Sequence, residues 1–167
     1  MNIFALHQTP YQSARDHCDK HVIKMILETA QLLSTAHRVL DGDKPDSVLY
    51  KATHKNHPCA KWVRECSANY HWAYSLFDYL NREYMARYNK IHASWTKLSK
   101  ELSNAPANIK KAANTTPFAL AMPIQCIHPG SDALSYQNYY KTQKREIAAW
   151  KKAHWEKHDR SPPSWWT

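Results

Sequence analysis

Residues 17–38 read HCDKHVIKMILETAQLLSTAHR: His17, Cys18 and His21 open an otherwise apolar run, and a lone acid, Glu28, follows seven residues after His21. On a helical wheel at about 100° per residue, Val22, Met25, Ile26, Thr29, Leu33, Ala36 and Leu40 cover one face. His17, His21, Lys24, Glu28, Gln31 and Thr35 fall on a narrow stripe of another. Three chemistries fit that stripe. It is a solvated face with a Lys24–Glu28 pair, worth about 0.2–0.5 kcal/mol. Or His17 and His21, one turn apart as in helical zinc sites, bind a metal, with Cys18, His54, His57 and Cys59 as further donors. Or Glu28 serves an acid–base or charge-stabilising role beside a cation.

A second cluster, THKNHPC at residues 53–59, places His54, Lys55, Asn56 and His57 just before Pro58. Proline is tolerated in a first helical turn, so a helix opens there with Asn56 or His57 as its cap. The unpaired N–H groups and partial positive charge of a helix start also suit a phosphate. Capping alone and phosphate binding both satisfy this segment.

These residues need elements to hold them. MNIFALH reads as a short strand or an extended arm. Thr9-Pro10 starts a first helix, expected from about Tyr11 to about Leu40 and stopped by Asp41-Gly42-Asp43-Lys44-Pro45. The second runs from Pro58 to about Asn89, with Trp62, Val63, Cys66, Tyr70, Ala73, Leu76, Phe77, Leu80 and Tyr84 at helical spacing. A shorter helix spans about Ala93–Leu102. Pro106, Pro117, Pro123 and Pro129 make residues 103–130 irregular. Ser131-Asp132 caps a last helix to about Trp155, and SPPSWWT is not helical at its prolines. The expected fold class is all-α: a single compact domain, 1–167, of three or four main helices with long irregular connections.

Only 2 glycines occur, which removes glycine-rich phosphate loops and most tight hairpins. The net charge is +9, and residues 91–167 hold 11 basic against 5 acidic side chains. Such a surface attracts polyanions, nucleic acid before anionic membrane. Seven Trp and ten Tyr supply rings for the core and for stacking on unpaired bases. Cys18, Cys59, Cys66 and Cys126 form no CxxC pair, and neither a signal peptide nor a long apolar run is visible. A cytoplasmic protein with reduced thiols, in the host cell if viral, is expected.

The run CDKHVIKMILETAQLL resembles the first helix of the pyrimidine-dimer DNA glycosylase/AP lyases of phages and algal viruses, in which a His precedes a catalytic Glu by seven residues. His21 and Glu28 keep that spacing. Asn56-His57-Pro58 is similar to an NHP turn of bacterial members, and Pro163-Ser164-Trp165 to the family's aromatic Pro-x-Trp ending. The resemblance implies a small, basic, all-α enzyme whose N-terminal α-amine attacks the sugar C1′. Such amines titrate at about 7.7–8.0 in model peptides, leaving a neutral fraction at physiological pH. A carboxylate stabilises the cationic sugar and moves protons during β-elimination.

Three positions depart from the family's pattern. The family exposes a small residue after losing its initiator Met; here the chain begins Met1-Asn2, and Asn is bulky for that removal, so Met1 is expected to stay. Ile3 and Leu27 stand where the family has Arg. The resemblance assigns catalysis to Glu28 and Met1, and substrate binding to His21, Lys24, His54, Asn56, His57 and Trp165. It implies double-stranded, damaged or modified DNA as partner, with no metal, cofactor or membrane, and a monomer. Two other readings stay open: an enzyme processing a nucleotide or modified base on the same fold, and a non-catalytic nucleic-acid-binding protein.

Overall fold

A computed structural model describes residues 1–44, 47–151 and 161–167. Six α-helices carry the described chain: α1 (Pro10–Asp16), α2 (Asp19–Leu40), α3 (Pro58–Glu65), α4 (Ser67–Tyr88), α5 (Ala93–Leu102) and α6 (Asp132–Gln143). A 3₁₀ turn, Ile124–Cys126, precedes α6, and no strand occurs among the described residues. The class is all-α, as the composition implied.

Helix α2 is the central element. It packs against α4, α3 and α5, while α1 packs on α4. Val22, Met25, Ile26, Thr29, Leu33 and Ala36 are buried, as the wheel required. The far half of α2 is enclosed more fully than one apolar face demands: Ala30, Leu32, Ser34 and Thr35 are buried too. Thr35 is therefore not on a solvated stripe; its hydroxyl accepts from the Thr53 N–H at 3.2 Å. The Met1–Leu6 segment is an arm with neither helix nor strand, closed by a bond from the Leu6 N–H to the Phe4 carbonyl at 3.0 Å, with Ile3, Phe4, Ala5 and Leu6 buried in the core.

Both long helices expected from periodicity are divided. The first breaks at His17 and Cys18, whose backbones are extended (ψ 133° and 160°). Arg87 holds this break open by donating to the His17 carbonyl at 2.6 Å and to the Arg15 carbonyl at 2.9 Å. The second breaks at Cys66 (φ −156°), where the Ser67 N–H turns out to the Lys110 carbonyl at 2.8 Å and the Ser67 hydroxyl bonds Ala112. Neither break contains Gly or Pro, so local propensity gave no warning. Helix α5 has the expected bounds. The last helix ends at Gln143 rather than Trp155; residues 144–151 are non-helical, and the remainder of that expectation lies outside the described residues.

Candidate active site

The arm returns the chain terminus to α2. The Asn2 side chain fixes it: its carbonyl oxygen accepts from the Ile3 N–H (2.8 Å), the Cys59 thiol (3.2 Å) and the Tyr136 hydroxyl (3.4 Å), and its amide donates to the Ala121 carbonyl (3.1 Å). With the side chain so held, the Asn2 backbone N–H donates to Glu28 Oε2 at 2.9 Å. The α-amine of Met1 lies 3.7 Å from the same oxygen, and Lys24 Nζ lies 3.5 Å from Oε1. Glu28 thus meets two cations and one backbone donor while its side chain is 12% exposed.

These groups line a cavity of about 270 Å³ with His21, His57, Tyr139 and Lys144 among its other walls. Among the described residues lining it, Glu28 is the only acid. The Phe4 ring stacks on His21 (4.7 Å, 21°) and lies near-parallel to Tyr139 (5.9 Å, 26°), so three roughly parallel rings form one side. Lys144 Nζ sits 4.8 Å from the Tyr139 ring centroid. A cavity with one carboxylate, a primary amine and two lysines suits an anionic substrate that develops positive charge beside Glu28.

Burial, assisted by Lys144 and Lys24, lowers the His21 pKa to about 4. Its Nδ1 is 2.5 Å from the Tyr140 hydroxyl, which fixes the ring. Neutral at physiological pH, His21 offers a hydrogen bond rather than a charge. His57 is the N-cap of α3, and its Nδ1 accepts from the Cys59 N–H at 3.1 Å. Its pKa is lowered by burial, by the N-terminal amine and by His54, against the pull of Glu28. The accepting Nδ1 leaves Nε2 as the protonated nitrogen. Capping and cavity lining thus coincide in one residue.

The structure brings Met1, Glu28, His21, Lys24 and His57 together. His54 and Asn56 are exposed on the turn before α3 and do not line the cavity; His54, in left-handed backbone (φ 46°), bonds the Thr53 hydroxyl at 2.7 Å. Trp165 also stands outside the lining: its indole donates to Asp16 Oδ2 at 2.9 Å and packs edge-on to Tyr140. His17 is buried at the end of α1 with Nδ1 2.6 Å from the Ser13 carbonyl, off the ridge on which the wheel placed it. No group of three or more His, Cys, Asp or Glu side chains converges to hold a metal ion among the described residues. Tyr139 and Lys144 were not singled out by sequence reading.

A protein-family model described as pyrimidine dimer DNA glycosylase matches residues 1–97, more than half of the chain. This chain belongs to the pyrimidine dimer DNA glycosylase family. The matched span holds α1 to α4, the arm and Glu28, whereas the cavity also draws Ala121, Tyr139 and Lys144 from beyond it. The family's substrate is DNA, and no described helix is long and apolar enough to cross a membrane. No curated protein and no solved structure gives a significant match.

Proposed function

We propose that this single-domain protein excises a damaged or modified base from duplex DNA and cleaves the resulting abasic site as a lyase. One observation carries the reading: the Met1 amine stands 3.7 Å from Glu28 in a cavity lined by lysine. In the neutral amine, the nitrogen lone pair attacks C1′ of the extruded nucleotide. The C1′–base bond breaks, its electrons leave with the base, and the base takes up a proton. Glu28 stabilises the positive charge on the sugar, takes the proton that the attacking amine gives up and delivers it to O4′ as the ring opens to an imine. Removal of a C2′ proton then expels the 3′ phosphate by β-elimination, and water releases the enzyme from the imine.

Lys24 and Lys144 hold flanking phosphates, and His21 and His57 donate hydrogen bonds at the same mouth. Tyr139 offers its face to a base taken from the stack. His54 and Asn56 extend the phosphate-binding surface along the turn before α3. Trp165 supports substrate binding from behind, bracing Tyr140 against His21.

Borohydride reduction during incubation with an abasic duplex tests this. The expected result is a stable protein–DNA adduct whose mass places the bond on Met1, absent after acetylation of the amine and reduced in Glu28→Gln. An enzyme that cleaves the duplex without forming an adduct would remove the imine route.

A further inference from the structure

Among the described residues, the most exposed large apolar side chain is Ile124, at 82%. A lone exposed isoleucine is ordinary on a protein surface; its mounting is not. Ile124 opens the 3₁₀ turn, between Pro123 and the buried Cys126, so the turn is pinned at its base. The Cys126 N–H donates to the Pro123 carbonyl at 2.9 Å, the Ile127 N–H to the Ile124 carbonyl at 3.0 Å, and the Cys126 thiol meets the Thr142 hydroxyl of α6 at 3.5 Å. The segment that leads into this turn is cavity wall: Ala121 lines the cavity and its carbonyl is held by Asn2. Three residues of chain span at most roughly 11 Å. The backbone at Ile124 therefore lies within roughly 11 Å of that cavity wall, about three base steps at roughly 3.4 Å each.

We propose that Ile124 is an intercalating wedge, inserted into the base stack of duplex DNA beside the nucleotide drawn into the Glu28 cavity. The proposal rests on reading that cavity as a DNA site. Drawing out a nucleotide leaves an unstacked gap costing a few kcal/mol, and an apolar side chain on a braced turn fills it while the lysines hold the backbone. The shielded isoleucine in turn loses its contact with water.

The test uses the full chain and a duplex carrying 2-aminopurine next to a tetrahydrofuran abasic analogue, which cannot react. Binding of the wild-type protein should raise 2-aminopurine emission, because the wedge parts it from its neighbour. Ile124→Ala should bind the duplex without that rise, and Ile124→Leu should restore it. On a reactive abasic site, Ile124→Ala should slow cleavage roughly tenfold in duplex but not in single-stranded DNA, which has no stack to open. A full emission rise with Ile124→Ala, no rise with wild type, or equal slowing on both strands' forms would overturn the wedge. Borohydride trapping judges the lyase separately: an adduct without an emission rise removes the wedge alone, and an emission rise without an adduct removes the lyase alone.

Discussion

Helix α2 carries two carboxylates that face cations, and their surroundings differ. At its first turn, Asp19 lies 3.4 Å from Arg87 Nη1, and Arg87 also reaches Glu83 at 3.1 Å and the His17 and Arg15 carbonyls. The second oxygen of Asp19 accepts from the Lys151 N–H at 2.7 Å. Arg87, Glu83 and Asp19 are all buried, and the cluster ties α4 to the break between α1 and α2. Further along, Glu28 faces an amine and a lysine but opens on a cavity. The same charge types thus do opposite things. Where every donor is used and water is shut out, the group fixes the fold. Where one side is empty and cationic, the carboxylate can meet a charge that a substrate develops.

The largest effect that would sharpen this contrast is on rate. Glu28→Gln should lower abasic-site cleavage by about 10²–10⁴-fold while leaving the thermal midpoint nearly unchanged, measured by gel assay and calorimetry. Arg87→Met should do the reverse. It removes the guanidinium that faces two buried acids and should cost about 3–5 kcal/mol of stability, read as a shift in urea midpoint. A stable, inactive Arg87→Met protein would break the distinction.

Acid should loosen the fold around its two buried histidines. Burial lowers His17 to about 3 and His21 to about 4, below the ordinary 6.5. Between pH 6.5 and about 4 the unfolded chain binds protons that the folded chain refuses, so stability falls as pH falls through that window. Each histidine contributes up to several kcal/mol, and urea titrations at pH 7 and pH 4.5 should show the loss. The smallest effect belongs to Lys24, whose side chain is 66% exposed. Lys24→Ala should change stability by only tenths of a kcal/mol, yet lower the salt slope of DNA binding by about one ion.

The helical class, the α5 bounds, a cap at Asn56 or His57 and the His21–Glu28 spacing were legible because they depend on neighbours in sequence. The breaks at Cys18 and Cys66 were not, since each is held by a distant partner: Arg87 for one, Lys110 and Ala112 for the other. Glu28 was visible as a lone acid on a ridge, but nothing in the sequence showed that Asn2 would turn the terminus onto it. Tyr139 and Lys144 escaped notice for a related reason. Lys144 is the C-cap of α6, and the run KTQKREIAAW carries no breaker to announce that end; Tyr139, helical on either reading, had no neighbour in sequence to mark it.

The fastening of Asn2 has a practical consequence. Chain ends are ordinarily the loosest part of a polypeptide, yet here the end is clamped and aimed into a hollow. Residues fused ahead of Met1, such as a purification leader, would have to thread through that hollow and act as a plug. On the proposed imine route, a protein so extended should fold yet form no borohydride-trapped adduct until a protease trims it flush, so the choice of which end to label decides what a trapping assay sees.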